Sequence, residues 1–157
     1  RFIVAGRRGW KTEEVDNMLM KVNKKWSHIE PNGVIQFLGA VTEEEKWILL
    51  RRASVLIFTS FGEGFGLPIL EAMSVGVPVI SSREGSLEEI GGDVPIYTDP
   101  EDLEAMSFAI AQCLLLPEGV VNLRNDGYRH VEKYNWKDTA KKTLKIIQET
   151  KNFPEGK

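Results

Sequence analysis

A glycine-rich stretch near the middle of the chain carries two carboxylates at a spacing that suggests ligand binding. Gly62, Gly64 and Gly66 alternate with other residues, and seven residues separate Glu63 from Glu71. Glycine allows the backbone to approach a ligand closely and to adopt positive φ at little cost. A carboxylate accepts hydrogen bonds from hydroxyl groups, whereas it does not favour a phosphate. The stretch therefore predicts a site for a ligand that has hydroxyl groups as well as phosphate.

A strand before this stretch and a helix after it are expected to position it. An apolar run at 55–58 predicts a strand that leads into the glycine loop, and Pro68 marks the first turn of the following helix. The amides at that helix start have no partner within the helix and lie at the positive end of its dipole, where a phosphate binds. Helical side chains lean toward the N-terminus, so we expect Glu71 to point back at the loop and to bind a ribose diol. Glu63 would meet sugar hydroxyls or a transient positive charge.

Apolar runs alternate with helical patterns along the chain. Strands are predicted at 2–5, 34–38, 53–59, 77–81 and 94–98. Helices are predicted from residue 12, at 42–52, 68–76, 99–116, 118–133 and 136–151, and briefly from residue 86. This alternation predicts an α/β fold with a Rossmann-like, doubly wound parallel sheet. Ligands bind beyond the carboxyl ends of such strands. We therefore expect the loops after Ala5, Leu38, Thr59 and Ser81 to line one crevice.

Several helix starts carry capping residues. Thr12 precedes two glutamates and is a candidate N-cap. Residues 42–45 and 86–89 both fit the capping box, in which a hydroxyl and a glutamate side chain satisfy the first amides of the helix. Asp99 precedes Pro100, which suggests an N-cap followed by proline at the first helical position. These residues predict where four of the helices begin.

Composition and charge limit the classes of function. The chain has 157 residues, enough for one domain with a sizeable core, and its net charge of −3 argues against nucleic-acid binding, which needs a basic face. The single cysteine, Cys113, excludes an internal disulfide and a cysteine metal cluster, and its apolar surroundings predict a core position. His28 and His130 lie in polar segments without ligand spacing, so no metal site is expected. The tryptophans are expected in the core or between helices.

The start of the chain suggests a piece of a longer protein. Residues 2–5 form a predicted buried strand directly after Arg1, with no initiator methionine. A domain seldom begins inside its own sheet, so we expect further residues before Arg1. No apolar run approaches the roughly 18 residues of a membrane span, and no signal peptide is recognisable.

The residues alone leave two other functions open. A strand, the glycines 62, 64 and 66, and a helix also resemble a dinucleotide site, with Glu84 as the acid that would bind the ribose. That hypothesis describes the NAD(P)-binding half of an oxidoreductase, but Leu67 and Pro68 break the required glycine spacing. The other hypothesis is a non-catalytic Rossmann-like interaction domain.

The motifs taken together resemble one enzyme family. Residues 63–73 resemble the E-x7-E signature of retaining, nucleotide-sugar-dependent GT-B glycosyltransferases, the group 1 glycosyl transferases. Further segments similar to this family are 3–6 with 9–10, 37–39, 76–82, 87–93, 97–102 and 134–136. Glu88 stands where the family has proline. The resemblance covers about residues 2–150, and its joint pattern is far more specific than any single short motif.

This resemblance implies that the chain is the donor-binding, C-terminal half of a GT-B enzyme. Glu63, the expected catalytic residue, would contact the hydroxyls of the transferred sugar near the reacting centre, and Glu71 would bind the ribose hydroxyls. The residues whose amides would face the sugar and the diphosphate are Gly64, Phe65, Gly66 and Leu67. The donor would be GDP-mannose or a UDP-sugar, used by a metal-independent hexosyltransferase with retention, and no separate cofactor is expected.

The resemblance also indicates what the chain lacks. The family's cationic pair, an arginine and a lysine, has no matching positions, and the acceptor-binding domain and a first strand and helix are expected before Arg1. The chain alone is therefore expected to be inactive. The full protein would act in polysaccharide biosynthesis on a glycan or lipid-linked acceptor. We expect it in the cytoplasm, with peripheral association at the inner face of the membrane where the acceptor is lipid-linked.

Overall fold

The computed structural model describes residues 1–9 and 12–151, without the side chains of Pro117 and Lys151. They form an α/β structure of two compact units, Arg1–Leu49 and Leu50–Lys157. Each unit contains its own parallel sheet, so the predicted class and strand direction are confirmed. Among the described residues, no single helix is long and apolar enough to span a membrane. The segments Leu103–Leu115 and Glu118–Thr150 meet that test only as a pair bent by 95°.

The first unit is a two-stranded sheet with one helix between its strands. Its elements are β1 (Phe2–Ala5), α1 (Glu13–Lys25) and β2 (Ile35–Gly39), followed by α2 (Glu43–Arg52), which continues into the second unit. The strands pair in parallel, and the Asn23 side chain of α1 exchanges hydrogen bonds of 2.8 and 2.9 Å with the backbone of Ile35. This exchange ties α1 to the edge of β2.

The predicted burial of β1 is wrong. Phe2 and Ile3 remain 46% and 37% exposed. The physical reason is that β1 belongs to a sheet of only two strands among the described residues, and such a sheet leaves much of each strand's surface uncovered. The apolar run at 2–5 predicts a strand here, but it does not indicate which residues cover that strand.

The second unit holds the core and the glycine loop. Its elements are β3 (Leu56–Phe58), α3 (Leu67–Ser74), β4 (Val79–Ser81), α4 (Leu87–Gly91), β5 (Ile96–Tyr97), α5 (Leu103–Leu115), α6 (Pro117–Val131) and α7 (Trp136–Lys151). The strands pair in parallel in the order β3-β4-β5. Ile80 of β4 packs with Ala109 and Cys113 of α5, and burial raises the pKa of the Cys113 thiol. The core position predicted for Cys113 is therefore confirmed.

The helix starts show which capping predictions hold. Thr42 and Glu45 form the predicted capping box, with distances of 2.7 and 3.2 Å between each amide nitrogen and the other residue's side-chain oxygen. Thr12 makes no capping bond in α1. Helix α5 begins at Leu103 and is capped by Asp102, whose Oδ1 accepts from the Ala105 amide at 2.9 Å. Asp99 is not its cap, because its carboxylate is taken up by the Glu101 amide in a local turn.

The prediction that the tryptophans lie in the core or between helices is wrong for two of them. Trp26 and Trp136 are 40% and 80% exposed, whereas Trp47 is half-buried and Trp10 lies outside the described residues. His130 is buried although its helix is largely polar, and its Nε2 lies 2.7 Å from the carbonyl oxygen of Ile90 at the end of α4. The His130 ring lies against the end of α4, where a Cβ on Gly92 would lie 2.8 Å from its Cε1, so a contact between distant segments buries this side chain.

Candidate functional site

The glycine loop lies where the sequence predicts it, between the carboxyl end of β3 and the start of α3. Gly66 is the residue before α3 and has φ of +96°, a conformation that side chains rarely adopt. A Cβ on Gly66 would lie 2.8 Å from Cδ2 of the buried Leu87. Pro68 occupies the first turn of the helix. The chain therefore needs glycine here for its conformation and for space.

The start of α3 presents a row of amides. Among the described residues, the amides of Gly64, Phe65, Gly66 and Leu67 donate no hydrogen bond. Phe65 and Leu67 are exposed, whereas Gly66 is buried against α4. Unpaired amides at the positive end of a helix dipole are suited to an anionic group. This segment has the local geometry that phosphate or sugar binding requires.

The two glutamates differ in secondary structure: Glu63 lies in the loop and Glu71 lies in α3. Glu63 is half-buried in the loop, and Glu71 is half-buried in the second turn of α3. The Ser74 hydroxyl donates to the Glu71 carbonyl at 2.7 Å within the helix. The structure thus places Glu63 and Glu71 on either side of the row of amides along one continuous segment. Their roles toward a donor sugar and a ribose stay predictions.

Serines at the end of β4 hold the glycine loop, an arrangement that is absent from the predictions made from the sequence. The buried Ser82 hydroxyl donates to the Ser60 carbonyl at 2.8 Å and accepts from the Ser60 amide at 3.1 Å. The Ser81 hydroxyl donates to the Phe58 carbonyl at 3.1 Å. The signal in the sequence is a pair of small hydroxyl residues directly after a predicted buried strand. Because β4 lies beside β3, these hydroxyls reach the chain as it leaves β3.

A second contact joins the loop to the start of α4. The Ser86 hydroxyl donates to the carbonyl oxygen of Glu63 at 2.9 Å. Ser86 is not the capping-box residue predicted from the sequence, because it makes no side-chain cap. A Cβ on Gly85 would lie 3.1 Å from both the amide nitrogen and the carbonyl oxygen of Glu63. The segment before α4 is therefore a direct neighbour of the Glu63 peptide.

The charged side chains around this segment mostly form ion pairs at the protein surface. Arg83 pairs with Glu88, and its guanidinium lies 4.2 Å from the centre of the Tyr97 ring. Burial raises the pKa of Tyr97 to about 12, and its hydroxyl donates to the Gly92 carbonyl at 2.7 Å. Arg8, in the first unit, pairs with Asp16. The predicted crevice lined by four loops involves both units and stays a prediction.

The described residues contain no cluster of three or more histidine, cysteine, aspartate or glutamate side chains that could hold a metal ion. The acids of the site are spread along a loop and a helix, and the half-buried Glu63 and Glu71 belong to no such cluster. Neither histidine lies in the loop: His130 is bound to the Ile90 carbonyl, and His28 is stacked on Trp26. The residues of the site are thus amides, hydroxyls and carboxylates, which are groups that bind sugars and phosphates.

Comparisons with known proteins identify a family and relatives of this chain. The family model "Glycosyl transferases group 1" matches residues 1–130. The O-antigen chain mannosyltransferase B of Escherichia coli is 35% identical over 142 residues, which are 90% of this chain and 35% of that protein. The MMP alpha-(1->4)-mannosyltransferase of Mycolicibacterium hassiacum is 28% identical over 76% of this chain and 33% of its own length. The chain thus spans about a third of the length of these relatives.

A solved structure shares the fold. Anabaena HepE, solved in complex with UDP and glucose, superposes with a TM-score of 0.74 over 94% of this chain and 40% of its own, at 18% sequence identity. At this level of identity the likeness concerns the fold alone. It places the parallel strands and the helices of this chain in an architecture that is also found in a protein solved with a nucleotide and a sugar.

Proposed function

Since the chain belongs to the group 1 family of glycosyl transferases, we propose that it is the donor-binding part of a hexosyltransferase. The enzyme would transfer a sugar from a nucleoside diphosphate sugar to a glycan or lipid-linked acceptor. The observation that carries this proposal is the row of amides from Gly64 to Leu67, which donate no hydrogen bond within the described part of the chain, with Glu71 one turn further along α3. These groups match a ligand that joins anionic phosphates to hydroxyl-bearing rings.

The proposed division of roles follows from charge. The amides at the start of α3 stabilise the diphosphate and the negative charge that develops on it as the sugar leaves. A carboxylate opposes that charge, so Glu71 binds the ribose hydroxyls instead, and Glu63 binds hydroxyls of the transferred sugar. Retention of configuration and independence from metal ions are part of the proposal and rest on the family resemblance.

The relatives favour a mannose donor. Both relatives compared above carry mannosyltransferase in their names, and one of them is named for the O-antigen chain. We therefore propose GDP-mannose as the first donor to test and a UDP-sugar as the second, because HepE was solved with UDP and glucose. A role in polysaccharide biosynthesis at the cytoplasmic face of the membrane is proposed for the full protein on the same grounds.

The test is donor binding and transfer by the full-length enzyme. Calorimetric titration with GDP-mannose, UDP-glucose and NAD should show binding of one sugar nucleotide. Glu71→Ala should weaken that binding about 10-fold or more, because hydrogen bonds to a charged group contribute roughly 1.5–3 kcal/mol. Glu63→Ala should mainly reduce the transfer rate. The matched control is Glu89→Ala, which removes an exposed glutamate from the neighbouring helix α4 and should change neither quantity.

The dinucleotide alternative predicts a different outcome of the same titration. Saturable NAD binding, without binding of any sugar nucleotide, would overturn the transferase proposal. Glu84 would then be the relevant acid. In the structure Glu84 is exposed in the segment before α4, and the relatives compared above are transferases. An interaction domain without activity would bind neither class of nucleotide.

A further inference from the structure

We propose that Ser86 is a positioning residue for sugar transfer: its hydroxyl fixes the Glu63 peptide and thereby sets where the Glu63 carboxylate meets the donor. The inference rests on the proposed function, because it assigns Ser86 an effect that is exerted through Glu63. Ser86 itself is not expected to touch the donor. Its hydroxyl donates to the Glu63 carbonyl at 2.9 Å across 23 positions of sequence.

The local chemistry of Ser86 shows that this contact replaces a simpler one. Residues 86–89 carry the sequence of a capping box, and a serine at this position would normally accept from an amide of its own helix. Ser86 instead has helical backbone angles, φ of −84° and ψ of −4°, and makes no side-chain cap. The hydroxyl is therefore turned away from α4 and committed to the Glu63 peptide.

The glycines on either side of the contact allow the two segments to approach. Gly85 has φ of +60°, and a Cβ there would lie 3.1 Å from the backbone of Glu63. Gly66, at the other end of the loop, would place a Cβ 2.8 Å from Leu87, the residue after Ser86. The loop is thus held against the start of α4 near both its ends. Ser86 supplies the directional bond, and the glycines supply the space.

Glu63 needs such support because no helix or strand fixes it. The loop residue has no regular hydrogen-bond ladder, whereas Glu71 lies inside α3. A reacting group that is misplaced by about 1 Å can lose on the order of 100-fold in rate. A hydroxyl that restrains the peptide of Glu63 therefore acts on the rate of transfer more than on the affinity for the nucleotide, which the amides of Gly64 to Leu67 and Glu71 provide.

The experiment compares variants of the full-length enzyme in steady-state transfer and in nucleoside diphosphate binding. Ser86→Ala should lower kcat on the order of 10-fold to 100-fold and change the Kd for the nucleoside diphosphate less than about 2-fold. Ser86→Thr retains the hydroxyl and should recover most of kcat. The matched control is Ser74→Ala, which removes the same type of bond, at 2.7 Å, from the Glu71 carbonyl inside α3 and should leave kcat unchanged.

A double-mutant cycle separates the possible causes. In the Glu63→Ala background, Ser86→Ala should lower kcat no further, because the carboxylate that it positions is gone. An additive loss, or an unchanged kcat in Ser86→Ala alone, would overturn the inference. If Glu63→Ala itself leaves transfer intact, the proposed role of Glu63 fails instead. Gly85→Ala serves as a second variant: it displaces the same peptide and should show the same split between kcat and Kd, even if Ser86→Ala does not fold.

Discussion

The loop that carries Glu63 and the helix that carries Glu71 are adjacent in the chain but are held by different interactions. Helix α3 has its own backbone hydrogen bonds, and its Ile69 and Ala72 side chains are completely buried. The loop has little buried apolar surface of its own. It is held mainly by the hydroxyls of Ser82 and Ser86, which lie between β4 and α4 in the sequence.

The difference indicates how a site of this kind divides its tasks. A residue on a packed helix keeps its place as long as the core is intact, so Glu71 depends on hydrophobic burial. A residue on a loop keeps its place only while a few directional bonds persist, so Glu63 depends on hydrogen bonds from another segment. Changes to the core should therefore affect the whole second unit, whereas changes to the hydroxyls should affect the loop alone.

The largest effect is expected in the core under α3. Ile69→Ala should lower the free energy of unfolding by about 2–5 kcal/mol, because it removes a fully buried side chain and leaves a cavity. Denaturation in urea would measure the loss. Leu67→Ala, at an exposed position of the same helix, is the control and should cost much less. Similar losses in the two variants would contradict the view that burial fixes α3.

A smaller effect is expected at the junction of the loop and the helix. Gly66→Ala should cost about 1–3 kcal/mol in unfolding free energy, because alanine disfavours φ of +96° and its Cβ meets Leu87. The control is Gly64→Ala, because a Cβ on Gly64 would have no neighbour within 4 Å. This substitution should change the free energy of unfolding by less than about 0.5 kcal/mol. Thermal denaturation of the two variants gives the comparison. Equal stability would show that the loop adapts freely at this point.

The smallest effect on overall stability is expected from the hydrogen bonds between Ser82 and the loop. Ser82→Ala removes both bonds to the Ser60 peptide and should cost about 1–2 kcal/mol. Its specific signature is faster hydrogen exchange at the Ser60 amide, measured by NMR, with little change in the amides of α3. Ser107→Ala, an exposed serine of α5, is the control. Unchanged exchange at Ser60 would mean that other contacts hold the loop.

The part of the site that follows local rules could be predicted from the sequence. An apolar run, three alternating glycines and Pro68 indicate a strand, a loop and a helix start, and the structure contains all three. The capping box of Thr42 and Glu45 is another local pattern that holds. Such features depend on residues within one or two turns of each other. A short window of sequence therefore contains the residues that stabilise them.

The support of the loop could not be predicted because it depends on distant residues. Residues 86–89 fit a capping box, but the Ser86 hydroxyl meets a carbonyl 23 positions earlier in the chain. The choice between the two partners depends on how closely β4 and α4 approach the loop. His130 illustrates the same limit, since a carbonyl 40 positions away makes its burial favourable. Polar side chains with alternative partners are therefore assigned reliably only from three-dimensional contacts.

The sequence by itself determined the order of strands and helices, the parallel α/β class and the segment from Glu63 to Glu71 on which the proposed function rests. It could do so because hydrophobic periodicity, glycine conformation and helix starts are local properties of the chain. The tertiary structure alone decided that β1 stays exposed, that Asp102 rather than Asp99 caps α5, and that Ser82 and Ser86 hold the loop. These outcomes depend on which surfaces and hydrogen-bonding groups meet across the fold, and that is set by packing between residues far apart in sequence.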